Sequence, residues 1–368
     1  MNILFICGAV GIGSDGVGDY TRRLCGRLIK IGHKTGIVAL CDHNSSYVIE
    51  NQFIENMSIT VHRIPISTNN KERLILLQEI LNTFRPEWIS LQFVLYSFNP
   101  KGLPFWLPSF FEKLEGNHKW QIMFHELWIG MDVKASYKHK IIGFLQQKII
   151  IKLLKKIKAK VINTQTDLYQ NKLSGLGYIS QILPLYSNII KNKESNIKRI
   201  NDELELKFCI FGSIHHGAPV LKFIKDLKQI LLSTNDTVLK FVFIGHCGVA
   251  VEEWKNVLLA NKIQFEITGF VNDKEISTLL SSCKYGISTT PYILSQKSGS
   301  LAAMFEHNLP VLCVARNWNV KKFYQKKEMN LINYEDKETI KEFMKRTFIE
   351  SNENNLEFVA LNFLNGLK

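Results

Sequence analysis

A chain of 368 residues is long enough for two domains, or at most three, at roughly 150 residues each. Its 46% apolar and 11% aromatic residues exclude a disordered chain. Forty-six Lys+Arg against 33 Asp+Glu leave a formal charge of +13, which predicts phosphate-bearing partners (a nucleotide, a phospholipid surface or a nucleic acid) without choosing among them.

In chain order, short β-rich runs alternate with longer helical patterns. The strands expected in the first half are Asn2–Cys7, Gly36–Leu40, Ile59–Ile64, Trp88–Phe93, Gln121–His125 and Lys160–Thr164. Several are apolar on both faces, as parallel strands covered by helices on two sides should be. The rhythm restarts with Lys207–Phe211, Lys240–Ile244, Gln264–Thr268, Tyr285–Thr289 and Val311–Val314. Between the series lies a polar stretch poor in aromatics, from Asn188 to Leu206, where the domain boundary is placed. This predicts two doubly wound α/β domains facing across a cleft, with ligands beyond the carboxyl ends of the strands. The expected domains are 1–188 and 189–353, followed by a C-terminal amphipathic helix in 354–368 that is a candidate for packing back toward the first.

No apolar stretch approaches the roughly 20 residues of a bilayer crossing. The start, MNILFICGAV, lacks a basic n-region, so no signal peptide is expected. The seven cysteines (7, 25, 41, 209, 247, 283 and 313) are spread singly with no CxxC pair, which disfavours zinc ribbons and predicts buried thiols in a reducing cytoplasm.

After the first strand comes GAVGIGSDGVGDYTRRL, with glycines at 8, 11, 13, 16 and 18, and a helix expected from near Tyr20. Glycines allow close backbone approach, and a helix N-terminus offers unpaired N–H groups to an anion. The loop is either a tight structural turn or a ligand cradle. It lacks the GxxxxGK[ST] pattern of a P-loop, and for a dinucleotide fingerprint Asp42 is the acidic partner available. No DxD pair, HExxH or GxSxG elbow occurs, so neither a resident metal nor an α/β-hydrolase is expected. The His215-His216 pair reads as a loop rather than a metal site.

From Lys134 through Thr166 there is no acidic residue, and KHKIIGFLQQKIIIKLLKKIK keeps helical spacing. Ile142, Leu145, Ile149, Leu153 and Ile157 share one face, with Lys148, Lys152, Lys155 and Lys156 on the other. Such a basic amphipathic helix suits an anionic lipid surface or is an ordinary solvated face; aromatics are not interleaved with it, so no nucleic-acid partner is expected.

The segment GVGDYTRRLCGRLIKIGHKTGIVAL resembles the opening of family 4 glycosyltransferases, which are retaining enzymes of the two-domain GT-B fold. Gly16, Gly18, Asp19, Gly32 and His33 stand where that pattern has them. WISLQFVLYSF, FHELW around His125, KVINTQTDLYQNKL, KFCIFGSI, FVFIGHCG, TGFVNDKEISTLLSSCKYGIS and SGSLAAMFEHNLPVLC follow in the family's order along nearly the whole chain. The family's two donor-site glutamates fall on Ser295 and Ala303, and its phosphate-binding Arg and Lys are missing from FGSIHHGAPVLKF. Lys297, with the helix start at Ser298, Gly299 and Ser300, stands in the first gap, and Ser213, His215 and His216 are the nearest substitutes for the missing Arg and Lys.

The resemblance implies a metal-independent hexosyltransferase without a cofactor, moving sugar from a nucleoside-diphosphate sugar to a glycan or lipid-linked acceptor in bacterial surface polysaccharide or lipopolysaccharide synthesis. It implies His125 at the transferred sugar and Gly16, Gly18, Ser213, Lys297, Ser298, Gly299 and Ser300 at the donor. Asp19, Gln92 and Tyr96 fall to the acceptor. The expected location is cytoplasmic, with the Lys148, Lys152, Lys155 and Lys156 stripe as a peripheral contact to the inner face of the membrane. The alternatives are a sugar-nucleotide epimerase of the same fold or a non-catalytic nucleotide-binding partner.

Overall fold

The computed structural model describes residues 1–11, 13, 15–192, 205–231, 238–321, 323–350 and 355–368. They form two units: Met1–Pro184 with Val320–Phe323 and Asn355–Lys368, and Leu185–Asn319 with Tyr324–Asn354. Most of the polar stretch expected to part the two series, 193–204, lies outside the described residues.

The first unit contains β1 (Asn2–Cys7), α1 (Gly16–Lys30), β2 (Lys34–Asp42), β3 (Val48–Ile54), β4 (Met57–Pro65), α2 (Asn70–Phe84) and β5 (Trp88–Phe93). It continues through α3 (Leu95–Phe98), α4 (Leu107–Glu112), β6 (Lys119–Phe124), α5 (Tyr137–Ile157), β7 (Val161–Thr164), α6 (Asp167–Ser174) and β8 (Gln181–Ile182). The sheet order is β3-β4-β2-β1-β5-β6-β7-β8, parallel except for the edge hairpin β3/β4. β1 and β5 are buried almost throughout, as strands with helices on both faces require.

The second unit contains β9 (Glu205–Phe211), α7 (Val220–Leu231), β10 (Val238–Ile244), α8 (Val251–Ala260), β11 (Gln264–Ile267), α9 (Asp273–Ser282) and β12 (Tyr285–Ser288). After these come α10 (Gly299–Glu306), β13 (Val311–Cys313), β14 (Leu331–Asn333) and α11 (Lys337–Met344). Its all-parallel sheet runs β11-β10-β9-β12-β13-β14, the doubly wound order in which the first strand lies beside the fourth. Period-two alternation sends Phe208 and Ile210 into one apolar layer, with Phe241, Phe243 and Trp254, and Cys209 into the other, with Val242 and Val311. Fully burying such a side chain stabilises by about 1.5–3 kcal/mol.

The last helix, α12 (Leu356–Leu367), belongs to the first unit. Its Phe363 stacks on Phe5 at 5.6 Å between ring centroids, and Glu357 pairs with Arg27 of α1. All seven cysteines are buried and unpaired, as the sequence suggests.

One helix start differs from expectation. α1 begins at Gly16, not near Tyr20, because the Asp15 carboxylate accepts the N–H groups of Val17 and Gly18 at 2.9 and 2.8 Å. An N-cap of this kind contributes about 1 kcal/mol, which offsets part of what two glycines cost in a first turn.

Candidate functional site

In a doubly wound sheet the ligand site lies at the carboxyl ends of the strands where the strand order reverses. In the second unit that point falls between β9 and β12. The loop after β9 turns at Gly212, whose φ is +75°, and a Cβ there would stand 2.7 Å from Ser300 Oγ. The loop is then tied to its neighbours: Ile214 N–H donates to Cys247 O and His215 N–H donates to Thr289 Oγ1, both at 3.0 Å. A 3-10 turn over Tyr292–Lys297 leads into α10, where the Ser298 hydroxyl accepts Leu301 N–H at 3.3 Å. Arg316, just beyond β13, lies against the Gly217 turn, with its Cβ 3.4 Å from where a Cβ on Gly217 would be.

Three loops thereby gather His215, His216, Lys297 and Arg316. Partial desolvation, then the neighbouring Lys297, Arg316 and His216, hold the His215 imidazole below its ordinary range. A positively charged cluster at a helix start and a strand-order reversal is chemistry for a polyanion. Of the donor residues expected from sequence, Lys297, Ser298, Gly299, Ser300 and the exposed Ser213 belong to these loops. Sequence reasoning does not single out Arg316, although its place just after a strand is the available signal.

Ser295 and Ala303, where the resemblance expects glutamates, are each 1% exposed; Ser295 Oγ accepts Gln325 Nε2–H at 3.1 Å. A carboxylate that the structure does bring to this segment is Glu328, which accepts Gln296 Nε2–H at 3.1 Å.

In the first unit the order reverses between β1 and β5, and here Gly8 is essential: a Cβ on it would meet Ser97 O at 2.4 Å. The anion cradle expected of Gly16 and Gly18 takes another form. Asp15 already holds the free N–H groups, and its carboxylate stands where an anion would sit; Ile12 and Ser14 of the same loop lie outside the described residues. Asp19 pairs with buried Arg22, which donates to Val10 O at 2.5 Å. Asp42 is likewise committed, which removes it as a ribose ligand: it accepts Val10 N–H at 3.2 Å and both arms of Arg63 at 2.9 and 3.1 Å. Burial alone would raise its carboxyl, but the Arg63 guanidinium and the His43 and Val10 N–H groups outweigh this and hold it below the usual carboxylate range.

His125 directly follows β6; the residue is 6% exposed, with the Tyr20 ring edge-on at 4.8 Å. A directional chain of hydrogen bonds passes through it. Gln165 Nε2–H donates to His125 Nδ1 at 3.1 Å, and His125 Nε2–H donates to Gln92 Oε1 at 2.8 Å. Gln92 Nε2–H donates to Ser90 Oγ at 2.7 Å, Ser90 donates to Gln121 Oε1 at 2.5 Å, and Gln121 Nε2–H donates to Asn163 Oδ1 at 2.9 Å. With the Gln92 amide oxygen and the Gln165 amide nitrogen turned to the ring, these contacts suit a hydrogen on Nε2 and an accepting Nδ1. Gln92, 1% exposed, therefore faces this chain rather than an acceptor, a correction to its expected role. Tyr96 on α3 is 41% exposed.

The lysine stripe of α5 also differs in part. Lys148, Lys152, Lys155 and Lys156 are all exposed, and Lys156 donates to Glu112 at 2.5 Å in a surface ion pair. The buried face is Gly143, Gln146, Ile149, Ile150, Leu153, Leu154 and Ile157, so Ile142 and Leu145 are only half-buried. Among the described residues no helix is long and apolar enough to cross a membrane, and no group of three His, Cys, Asp or Glu could hold a metal ion.

No family profile and no curated protein matches the chain in sequence. Solved structures do match in three dimensions. A chain from E. coli bound with UDP-2-fluoro glucose is 9% identical with a TM-score of 0.56, covering 99% of this chain and 98% of that one. S. aureus MnaA, solved with UDP, is 10% identical with a TM-score of 0.55, covering 100% and 96%. A glycosyltransferase from Rickettsia africae ESF-5 is 12% identical with a TM-score of 0.54, covering 99% and 87%. The fold is GT-B. The two sheet reversals just described belong to two doubly wound units; in the second, Lys297 and Arg316 stand near His215, while in the first Arg22 and Arg63 are each engaged by an aspartate.

Proposed function

We propose that the chain is a retaining glycosyltransferase, most similar in its motifs to family 4, that takes a hexosyl group from a nucleoside-diphosphate sugar. The observation that carries this reading is the convergence of His215, Lys297 and Arg316 on the reversal point of the second sheet. Two structures of similar fold were solved with UDP or a UDP sugar, which supports the same ligand class here. The cations and the N–H groups at the start of α10 offset the charge that develops on the leaving diphosphate, and preorganised charge of this kind dominates catalysis of such a transfer. The bond from the anomeric carbon to the diphosphate breaks, the acceptor oxygen bonds to that carbon, and the acceptor's proton passes to the leaving phosphate oxygen. Because protein cations carry this load, turnover is expected without an added divalent ion. His125 is the group of the first unit assigned to the transferred sugar; contact through Nε2 requires the Gln92 amide to give way.

The acceptor class, a glycan or glycolipid of bacterial surface polysaccharide, follows from the motif resemblance. The rival of the same fold is a sugar-nucleotide epimerase. Thermal-shift screening against UDP, GDP and ADP sugars selects the donor. Incubating the selected donor with and without acceptor then separates the two: net transfer with retained anomeric configuration supports the transferase, and acceptor-independent inversion at a ring carbon supports the epimerase.

A further inference from the structure

The loop that follows His125 carries a second site within the first unit. It runs between β6 and α5, and Gly130 there has φ +80°, with no room for a Cβ, which would lie 2.5 Å from His139 O. Gln146, fully buried, clamps it: Oε1 accepts Ile129 N–H at 2.9 Å and Nε2–H donates to Gly102 O at 3.1 Å. Asp132, 7% exposed, accepts Lys134 N–H at 3.1 Å at the entry to α5. Held at these points, the loop needs no ligand to keep its shape.

Beside it is a cavity of about 580 Å³, a volume suited to a small ligand, whose wall includes Trp128, Asp132, Lys140, Asn171, Lys172 and Lys321. An indole face meets the C–H face of a sugar ring, and the amide and carboxylate meet its hydroxyls. Three lysines against one carboxylate leave an excess of positive charge for a phosphate. The cavity opens beside an exposed apolar stripe. At about 100° per residue, Tyr137, Ile141 and Phe144 stand within roughly 100° of the Lys140 meridian that faces the cavity. They are 86%, 63% and 56% exposed, and Val133, which also lines the cavity, is 44% exposed. Lys140 and Lys148 cover the Tyr137 and Phe144 rings at 5.7 and 5.1 Å. Farther along the same stripe come Lys148, Lys152 and Lys155, all exposed. Apolar side chains gathered this way, with cations and no carboxylate on the same helix, suit an amphipathic anion.

We infer that this cavity takes the sugar-phosphate head of a glycolipid and that the Tyr137–Phe144 stripe takes the first part of its lipid chain. The inference rests on the glycosyl-transfer reading, whose acceptor it narrows to an anionic glycolipid. Three probes below their micelle concentrations test it by calorimetry on the full chain: dodecyl phosphoglucose, glucose 1-phosphate and dodecyl maltoside. Dodecyl phosphoglucose should bind at least tenfold more tightly than either of the others. Lys140→Gln with Lys172→Gln should weaken both phosphate probes by tenfold or more. Tyr137→Ser with Ile141→Ser should remove the advantage of the dodecyl chain and leave glucose 1-phosphate unchanged. Dodecyl maltoside binding as tightly as dodecyl phosphoglucose would overturn the inference. So would unchanged phosphate-probe binding by the lysine variant, or binding of the parent to phosphatidylglycerol vesicles with no preference among the three probes. UDP affinity, read in the same series, bears on the transfer reading alone: its absence in the parent would overturn that reading, and the probe ranking decides this one.

Discussion

The two units share a parallel order around their first strand but use opposite charge logic where that order reverses. In the first, three carboxylates are answered from within: Asp15 by helix N–H groups, Asp19 by Arg22 and Asp42 by Arg63. His125 lies between two amides. In the second, His215, His216, Lys297 and Arg316 stand together and depress the protonation of one of their number. Topology thus marks two comparable positions, and residue chemistry separates them: the charges of the second suit a diphosphate, while the first presents a polar interior already hydrogen-bonded within itself.

The largest expected effect would break the internal neutrality of the first unit. Arg63→Ala leaves the Asp42 carboxylate, 1% exposed, without its bidentate partner. It should cost about 3 kcal/mol by urea denaturation, the low end for a broken buried pair because Arg63 itself is partly exposed. The native Asp42 carboxyl lies below its unfolded value, so the pair's contribution is complete above about pH 4 and is lost as pH falls through the native value. In the variant this acid-side loss should shrink. Unaltered UDP affinity in the same protein would confirm that the pair is scaffolding.

Next in size is the hydrogen-bond chain. Ser90→Ala removes the hydroxyl between Gln92 and Gln121 and leaves a buried donor and acceptor unmade. A loss of about 2 kcal/mol is expected, within the range for such groups. The His125 ring-nitrogen shifts in NMR should then show a mixture of tautomers; a pure Nε2–H form in the variant would mean that Gln165 alone sets it.

The smallest effect sharpens the contrast from the other side. His215 is held below its ordinary range by desolvation and by cations, and a bound diphosphate would reverse that field. Its proton affinity should rise on binding, so the complex takes up a fraction of a proton and affinity grows as pH falls. For a nucleotide sugar, which has no phosphate titrating there, roughly a two- to threefold gain between about pH 7.5 and 6 is expected. Calorimetry in buffers of different ionisation heat reads the proton directly; proton release would contradict the assignment.

Much of this is legible in the sequence because the signal is local. Asn2–Cys7 and Trp88–Phe93 have the expected bounds, since a run apolar on both faces has one reading in an alternating α/β chain. β3 escapes sequence reasoning because VIENQFI is a largely exposed edge strand with no continuous apolar run. β14 has only three residues and is defined by its partner β13. The start of α1 is hidden because glycines disfavour a helix, and the sequence pattern does not show that the Asp15 carboxylate caps it. Within the candidate site, Lys297 and its serines stand out as one short motif. Arg316 does not, because its proximity to His215 arises only when β9, β12 and β13 lie side by side.

The central claim is that the second unit's cation cluster holds a nucleoside diphosphate. Calorimetric titration of UDP, GDP and ADP, each beside its bare nucleoside, into the parent and into Lys297→Ala with Arg316→Ala tests it most directly. One diphosphate should bind the parent far more tightly than its nucleoside, and the double variant should lose roughly 1–3 kcal/mol for each cation removed. Equal affinity of parent and variant, or a parent that binds none of the three diphosphates, would contradict the account.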